Sequence, residues 1–251
     1  MSDGLSERLL QLNIDGNKLN ADSCKSEKRL QEAINNILDY LKETYSGFEF
    51  YHQKSITLYE LKSRFGGLLP TEEEKKNSMK PDGGIIFMKL KSQSIPILIV
   101  EDKIQGSNDL KYKSGKRKDA CGNAIERASK NIRASEMIFH SSNVFPYVIF
   151  ASGCDFHHTE SISSRLTMMN YGYPPHYIEI KPKLEETNMD KILQEIDIAK
   201  KMINGKAVSI ASIFVKAHKY DEMEHGSSFW TVNEYYSVLK TIVDQVLNIY
   251  V

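Results

Sequence analysis

Two apolar runs separated by a short polar break stand out in the hydrophobic pattern: Ile85-Ile86-Phe87-Met88 and Ile95-Pro96-Ile97-Leu98-Ile99-Val100, with Lys91 to Ser94 between them. Both are rich in β-branched residues and bounded by Gly, Ser and Gln, which predicts strands, and so short a connection predicts an antiparallel hairpin. With a turn centred between Ser92 and Gln93, Asp82 would face Lys103 and Gly84 would face Glu101. Side chains alternate along a strand, so Glu101 and Lys103 share a face and Asp102 points to the other.

Elsewhere the periods are mostly helical. Leu30, Ala33, Ile34, Ile37, Leu38 and Leu41 predict a core helix from Ser26 to about Ser46-Gly47, while residues 1–25 read as an N-terminal arm ordered only by packing or by a partner. Phe48 to Tyr51 is expected to be a strand, Ile56 to Phe65 a short helix, and Gly66 to Met79 a loop leading to the hairpin. A helix opening at Gly122-Asn123 carries the stripe Ile125, Ala128, Ile132, Ser135, Phe139, with Glu126, Lys130 and Arg133 on another face. The strand Phe145 to Phe150 follows, which makes a β-α-β unit and two parallel strands beside the hairpin. Helices are expected over 161–170, 189–203 and 231–249, and a buried strand over 207–215. The order α, ββ, α, β, α, β, α predicts one α/β domain spanning residues 1–251, with a mixed central β-sheet flanked by helices.

Composition narrows the class. The 251 residues are 41% hydrophobic and 26% charged, ordinary for a globular chain with ample core. No apolar run is long enough to span a membrane and the polar start is not a signal peptide, so a cytoplasmic location without membrane contact is expected. Cys24, Cys121 and Cys154 form no C-x-x-C pair, and His157-His158 and His218/His225 lack metal-ligand spacing, which argues against a disulfide framework or a zinc site. Net charge is zero, so binding to nucleic acid by bulk charge is disfavoured. Charge is nonetheless uneven: residues 101–135 hold nine Lys/Arg against five Asp/Glu. Lys111, Lys113, Lys116, Arg117 and Lys118 crowd the loop 104–120, which is either a solvated loop or a segment contacting DNA phosphates.

The chemistry concentrates at the open end of the hairpin, where Asp82, Glu101 and Lys103 would meet. Two carboxylates and an ammonium are costly to desolvate unless a cation or substrate charge completes them. A hard, oxygen-binding ion such as magnesium (Mg2+) suits two carboxylates plus waters and phosphate oxygens. The lysine would remain free to orient a water or offset phosphate charge. The alternative is a surface ion pair of small weight. The acidic-x-Lys spacing by itself decides nothing, since Glu73/Lys75, Glu74/Lys76, Asp109/Lys111 and Glu179/Lys181 repeat it.

Taken together the motifs resemble the EcoRI restriction endonuclease family, a branch of the PD-(D/E)xK nucleases. Lys80-Pro81-Asp82-Gly83-Gly84-Ile85 is similar to that family's catalytic entry, and Glu101-Asp102-Lys103-Ile104-Gln105-Gly106 to its E-x-K strand and the loop after it. Gly122-Asn123-Ala124-Ile125-Glu126-Arg127, followed by Lys130-Asn131-Ile132, is similar to the segment with which the family reads adenines in the major groove. Phe145-Pro146-Tyr147-Val148, Arg165-Leu166-Thr167, Asn170-Tyr171-Gly172 and Ala211-Ser212-Ile213 continue the match in the same order, over roughly residues 48 to 230.

The resemblance implies a magnesium-dependent type II restriction endonuclease that acts as a homodimer on double-stranded DNA at a short palindrome with an AATT core. It implies 5′-phosphate and 3′-hydroxyl ends and a cognate DNA methyltransferase in the same system. Asp82 and Glu101 would hold the metal with help from the carbonyl near Asp102, and Lys103 would position or activate the attacking water. Asn123, Ala124, Glu126, Arg127, Lys130 and Arg165 would contact DNA, joined by Gln105, Lys113, Lys116 and Asp119. The donors suit the role, because Asn pairs bidentately with adenine and Arg donates to purine N7; equally, an Asn at a helix start is often a plain cap.

The chain departs from the family pattern at two points. Asp119-Ala120-Cys121 stands where the family has Met-Ala-Ala, and only Arg165 remains of two arginines three apart, Ile162 holding the other position. A relaxed or altered outer base pair is therefore expected around AATT. The alternatives are a less sequence-specific nuclease of the same fold and a DNA-binding protein without the chemistry.

Overall fold

The computed structural model describes the backbone of residues 3–57, 59–60, 77–105, 123–138, 144, 146–153, 156, 163–165, 167–168, 178–181, 189–196, 202–203, 206–207, 211–216 and 229–251, with side chains of α1 described from Cys24 onward. In chain order the elements are α1 (Asp3–Thr44), β1 (Glu49–Gln53), β2 (Ile56–Thr57), β3 (Ser78–Met79), β4 (Gly84–Leu90), β5 (Gln93–Ile104), α2 (Asn123–Ile138), β6 (Tyr147–Ser152), β7 (Ile178–Lys181), α3 (Met189–Glu195), β8 (Met202–Ile203), β9 (Lys206–Ala207), β10 (Ala211–Lys216) and α4 (Val232–Tyr250).

Six strands form one mixed sheet in the order β1-β4-β5-β6-β10-β7. The meander β1-β4-β5 is antiparallel and β5-β6-β10-β7 is parallel, as expected of a β-α-β unit appended to a hairpin. The pleat sends alternate residues of the central strands into two separate cores. On one face Ile86, Met88, Val100, Val148, Phe150 and Phe214 meet the apolar stripes of α1 and α4. On the other, Ile85, Phe87, Ile99, Tyr147 and Ile149 meet Ile125, Ala128 and Ile132 of α2. This α/β architecture with a mixed sheet between helices is the predicted one.

α4 starts where its sequence says it should. Thr231 and Glu234 form a reciprocal capping box. The Glu234 carboxylate also takes the Lys216 ammonium from the end of β10, at 3.0 and 2.9 Å. Burial works against that carboxylate, yet the bonds from Thr231 and Lys216 hold it below the usual carboxylate range.

Several boundaries differ from the sequence expectation. α1 begins at Asp3, not Ser26, because Leu, Lys, Glu, Arg and Gln in residues 5–19 favour helix and a single Gly16 costs only about 1 kcal/mol. Ile56–Thr57 is a strand paired with Ser78–Met79, where a helix was expected from Ile56; the buried Ile56 packs below α2. α3 stops at Glu195, and Met202–Ile203 pairs with Lys206–Ala207 as a small hairpin. β7 was not foreseen. Among the described residues, no helix is long and apolar enough to cross a membrane.

The main hairpin is also out of the expected register, by two residues near its tip and by one beyond an irregularity in β5. Leu90 faces Gln93, so the loop is Lys91-Ser92, with Lys91 in the left-handed region at φ 55°. A two-residue loop needs such a φ. Pairing then shifts between Ile86 and Phe87, where Ile97 is the extra residue of a β-bulge. Ile97 and Leu98 consequently both face the α1/α4 core. Beyond the bulge Gly84 faces Val100, not Glu101.

Candidate active site

Despite the shifted register, Asp82 reaches Lys103. It does so from a turn: Gly84 N donates to Pro81 O at 3.0 Å and Gly83 N to Val100 O at 2.9 Å, which swings the Asp82 side chain past the end of the ladder. Both glycines are required there. A Cβ on Gly83 would lie 2.7 Å from Val100 Cβ, and Gly84, at φ 73°, would bring a Cβ to 2.4 Å from His52 Nε2. His52 Nε2 in turn bonds Gly83 O at 2.9 Å from the neighbouring strand β1.

The turn delivers Asp82 Oδ2 to two donors, the Asp102 backbone N–H at 3.1 Å and Lys103 Nζ at 2.6 Å. The same ammonium lies 2.6 Å from Glu101 Oε1 and 3.3 Å from the carbonyl of Asp102. Asp82, Glu101 and Lys103 thus converge, with the Glu101 side chain 2% exposed, Lys103 21% and Asp82 35%. Glu101 is held further by Asn131 Nδ2 of α2, at 3.0 Å from Oε1, and by Tyr147 OH of β6, at 3.3 Å from Oε2. Burial raises the Glu101 carboxyl above its usual range, although the Lys103 ammonium pulls the other way. Burial works against the Lys103 charge, but the Glu101 and Asp82 carboxylates outweigh it and raise Lys103 above the ordinary lysine value.

Asp102 occupies the reverse face, as the strand period requires. Its Oδ2 accepts from Ser26 Oγ of α1 at 2.9 Å, and Ser26 Oγ lies 3.0 Å from Tyr235 OH of α4. Its backbone N–H and carbonyl, not its carboxylate, face the cluster.

The donor set fits a hard cation. One ammonium already touches an oxygen from each of two carboxylates, so a single ion could do the same, with the Asp102 carbonyl beside it. Magnesium needs no more from protein than one or two carboxylates, the rest coming from water and phosphate. Among the described residues no set of three or more His, Cys, Asp or Glu groups is placed to hold a metal.

Of the expected DNA-contacting residues, Asn123, Ala124, Glu126, Arg127 and Lys130 lie on α2. The backbone of Asn123 opens α2; its side chain lies outside the described residues, as do Lys113, Lys116 and Asp119 and the loop from 106 to 122. Glu126, Arg127 and Lys130 are exposed, and Ala124 is partly buried against the α2-side core. Glu126 is ion-paired with Arg165. Gln105 N donates to Ser152 O at 2.9 Å, beyond the end of β5.

A comparison with protein families matches residues 15–250 to the restriction endonuclease EcoRI. The chain belongs to the EcoRI restriction endonuclease family. Among similar proteins, the type II restriction enzyme EcoRI of Escherichia coli is 32% identical over 168 residues, covering 53% of this chain and 60% of that protein. The type II restriction enzyme RsrI of Cereibacter sphaeroides is 30% identical over 166 residues, covering 59% of each. The chain thus spans about three fifths of the length of these relatives.

Four residues around the EcoRI-family site were not singled out from sequence for a role there: His52, Ser26, Asn131 and Tyr147. Asn131 had a readable signal. It lies three residues after Ala128 and four before Ser135, so it shares the buried side of α2. A polar amide there asks for a buried partner.

Proposed function

We propose that the chain is a magnesium-dependent type II restriction endonuclease. The observation that carries the reading is the Lys103 ammonium held between Asp82 and Glu101 at the open end of the β4–β5 hairpin, in a chain of this family. Asp82 and Glu101 would hold the magnesium, beside the carbonyl of Asp102. When bound, the ion offsets charge on the phosphate oxygens and acidifies a neighbouring water.

In the metal-free site both carboxylates raise the Lys103 pKa. Beside the bound ion Lys103 would position or activate the attacking water and offset charge as it grows on the phosphoryl group. The water oxygen bonds to phosphorus and loses a proton, the bond to the 3′ oxygen breaks, and that oxygen takes up a proton. The products are a 5′-phosphate and a 3′-hydroxyl.

Asn123, Ala124, Glu126, Arg127 and Lys130 on α2 would read an AATT core, with Arg165 held in place by Glu126. Gln105, Lys113, Lys116 and Asp119 would contact the surrounding DNA. A homodimer matches the symmetry of a palindrome, because each protomer can present the same helix to one half-site. A cognate methyltransferase would protect host sites.

Incubating the purified chain with one plasmid, with and without magnesium, tests the proposal. Discrete bands that require magnesium are expected. A smear would assign a less specific nuclease instead, and a gel shift without cleavage would assign a DNA-binding protein.

A further inference from the structure

We propose that Asn131 is a positioning residue that fixes the Glu101 carboxylate and so joins the helix of the base-reading segment to the metal-holding group. The inference rests on the nuclease reading above. α2 begins at Asn123 and reaches Asn131 two turns later. There Asn131 Nδ2 donates to Glu101 Oε1 at 3.0 Å, the same oxygen that accepts from Lys103. The amide orientation is dictated by the partner: only the NH2 side can face a carboxylate.

The contact is stiff at both ends. α2 is pinned by the buried Ile125, Ala128 and Ile132, and Ser135 Oγ donates to the Asn131 carbonyl at 2.7 Å. Glu101 is 2% exposed and its other oxygen faces Tyr147 OH at 3.3 Å. A shift of α2 along or about its axis cannot leave the Asn131–Glu101 bond unchanged. Partners of this kind set the orientation of metal-holding carboxylates, and losing them typically lowers metal affinity or activity about 10- to 100-fold.

The test compares Asn131→Ala, Asn131→Asp and Tyr147→Phe with the wild-type chain. Four quantities are measured: metal-free binding to an AATT-containing duplex, single-turnover cleavage across a magnesium series, calorimetric magnesium binding to the protein–DNA complex, and thermal melting. Asn131→Ala should bind DNA about as well as wild type, bind magnesium about 10-fold more weakly and cleave about 10- to 100-fold more slowly. Asn131→Asp should be worse than Ala, because it sets an acceptor against a carboxylate. Tyr147→Phe, which removes one hydroxyl, should move in the same direction by less and covers the case in which an Asn131 variant fails to fold. Equal losses in DNA affinity and rate, with magnesium binding unchanged, would overturn the proposal and place Asn131 on the DNA. Wild-type protein that does not cleave would defeat the nuclease reading alone; weaker magnesium binding by Asn131→Ala would then still support the positioning role, and equal binding would reject it.

Discussion

Ser26 Oγ donates to Asp102 Oδ2 across 2.9 Å, tying helix α1 to the strand that carries Glu101 and Lys103. The other oxygen, Oδ1, is buried with no hydrogen-bond partner among the described residues. Burial pushes the Asp102 carboxyl up to about 6, although the Ser26 bond pulls it down.

A carboxyl that holds its proton more tightly when folded favours the folded state most where it is protonated in both states, below about pH 4. That contribution declines as pH rises from about 4 to about 6 and then levels off. Asp102→Asn should therefore gain on wild type across this window, by about 2 to 3 kcal/mol at ~1.4 kcal/mol per unit. Urea unfolding of metal-free protein at several pH values measures it. A difference between the two proteins that does not change with pH would mean that Asp102 titrates normally.

The carboxylates at the hairpin end predict a separation of binding from cleavage. Asp82→Ala or Glu101→Ala should abolish cleavage while specific binding survives, because each removes a group proposed to hold the metal and lessens repulsion of phosphate. Lys103→Ala should lose ~10²- to 10⁴-fold in rate. Cleavage by either carboxylate variant at close to the wild-type rate with magnesium would show the site to be elsewhere.

Asn123→Ala and Arg127→Ala should weaken specific binding as well as cleavage, by roughly 1–3 kcal/mol per lost base contact. Lys113→Ala and Lys116→Ala should weaken binding to every sequence about equally and reduce its salt dependence. Gel shifts on specific and random duplexes at two salt concentrations separate the classes. Equal loss on both duplexes for Asn123→Ala would remove Asn123 from adenine reading.

The ion pair between Glu126 and Arg165 joins two of the residues proposed to contact DNA. Only one arginine stands where the family pattern has two, and Asp119 adds an acceptor that could take a bond from a cytosine or adenine amino group. A library randomised around AATT should yield cut ends that keep AATT, with the flanking pair relaxed to purine/pyrimidine or different from G·C. Cleavage confined to GAATTC would reject the altered outer pair, and cleavage without AATT would reject adenine reading by α2.

Much of this architecture was legible in the sequence because it rests on period. Alternation alone placed Glu101 and Lys103 on one face and Asp102 on the other, and the 3.6-residue stripe of α2 placed Ile125, Ala128, Ile132 and Ser135 inside. Register was not legible. The loop Lys91-Ser92 lacks the Gly or Asn that usually marks a two-residue turn, and the bulge at Ile97, which turns both Ile97 and Leu98 toward α1 and α4, breaks the strand alternation. The convergence of Asp82 on Lys103 was expected from the wrong pairing and is achieved instead by the Pro81–Gly84 turn. Contacts such as Ser26–Asp102 and Asn131–Glu101 join residues 76 and 30 positions apart, which no local pattern encodes.

The Ile97 bulge also divides the hairpin into two parts. Inside it, the Gly84–Val100 pairing and the parallel bonds to β6 fix the strand that carries Glu101; outside it lie Phe87 to Leu90 of β4, Ile95, Pro96 and the exposed tip from Lys91 to Ser94. Length added between Lys91 and Ser92 can be absorbed before it reaches the ladder that sets Glu101. The hairpin tip is thus a natural graft point, where a tag, a dye or a tether could be built in without retuning the chemistry at the other end.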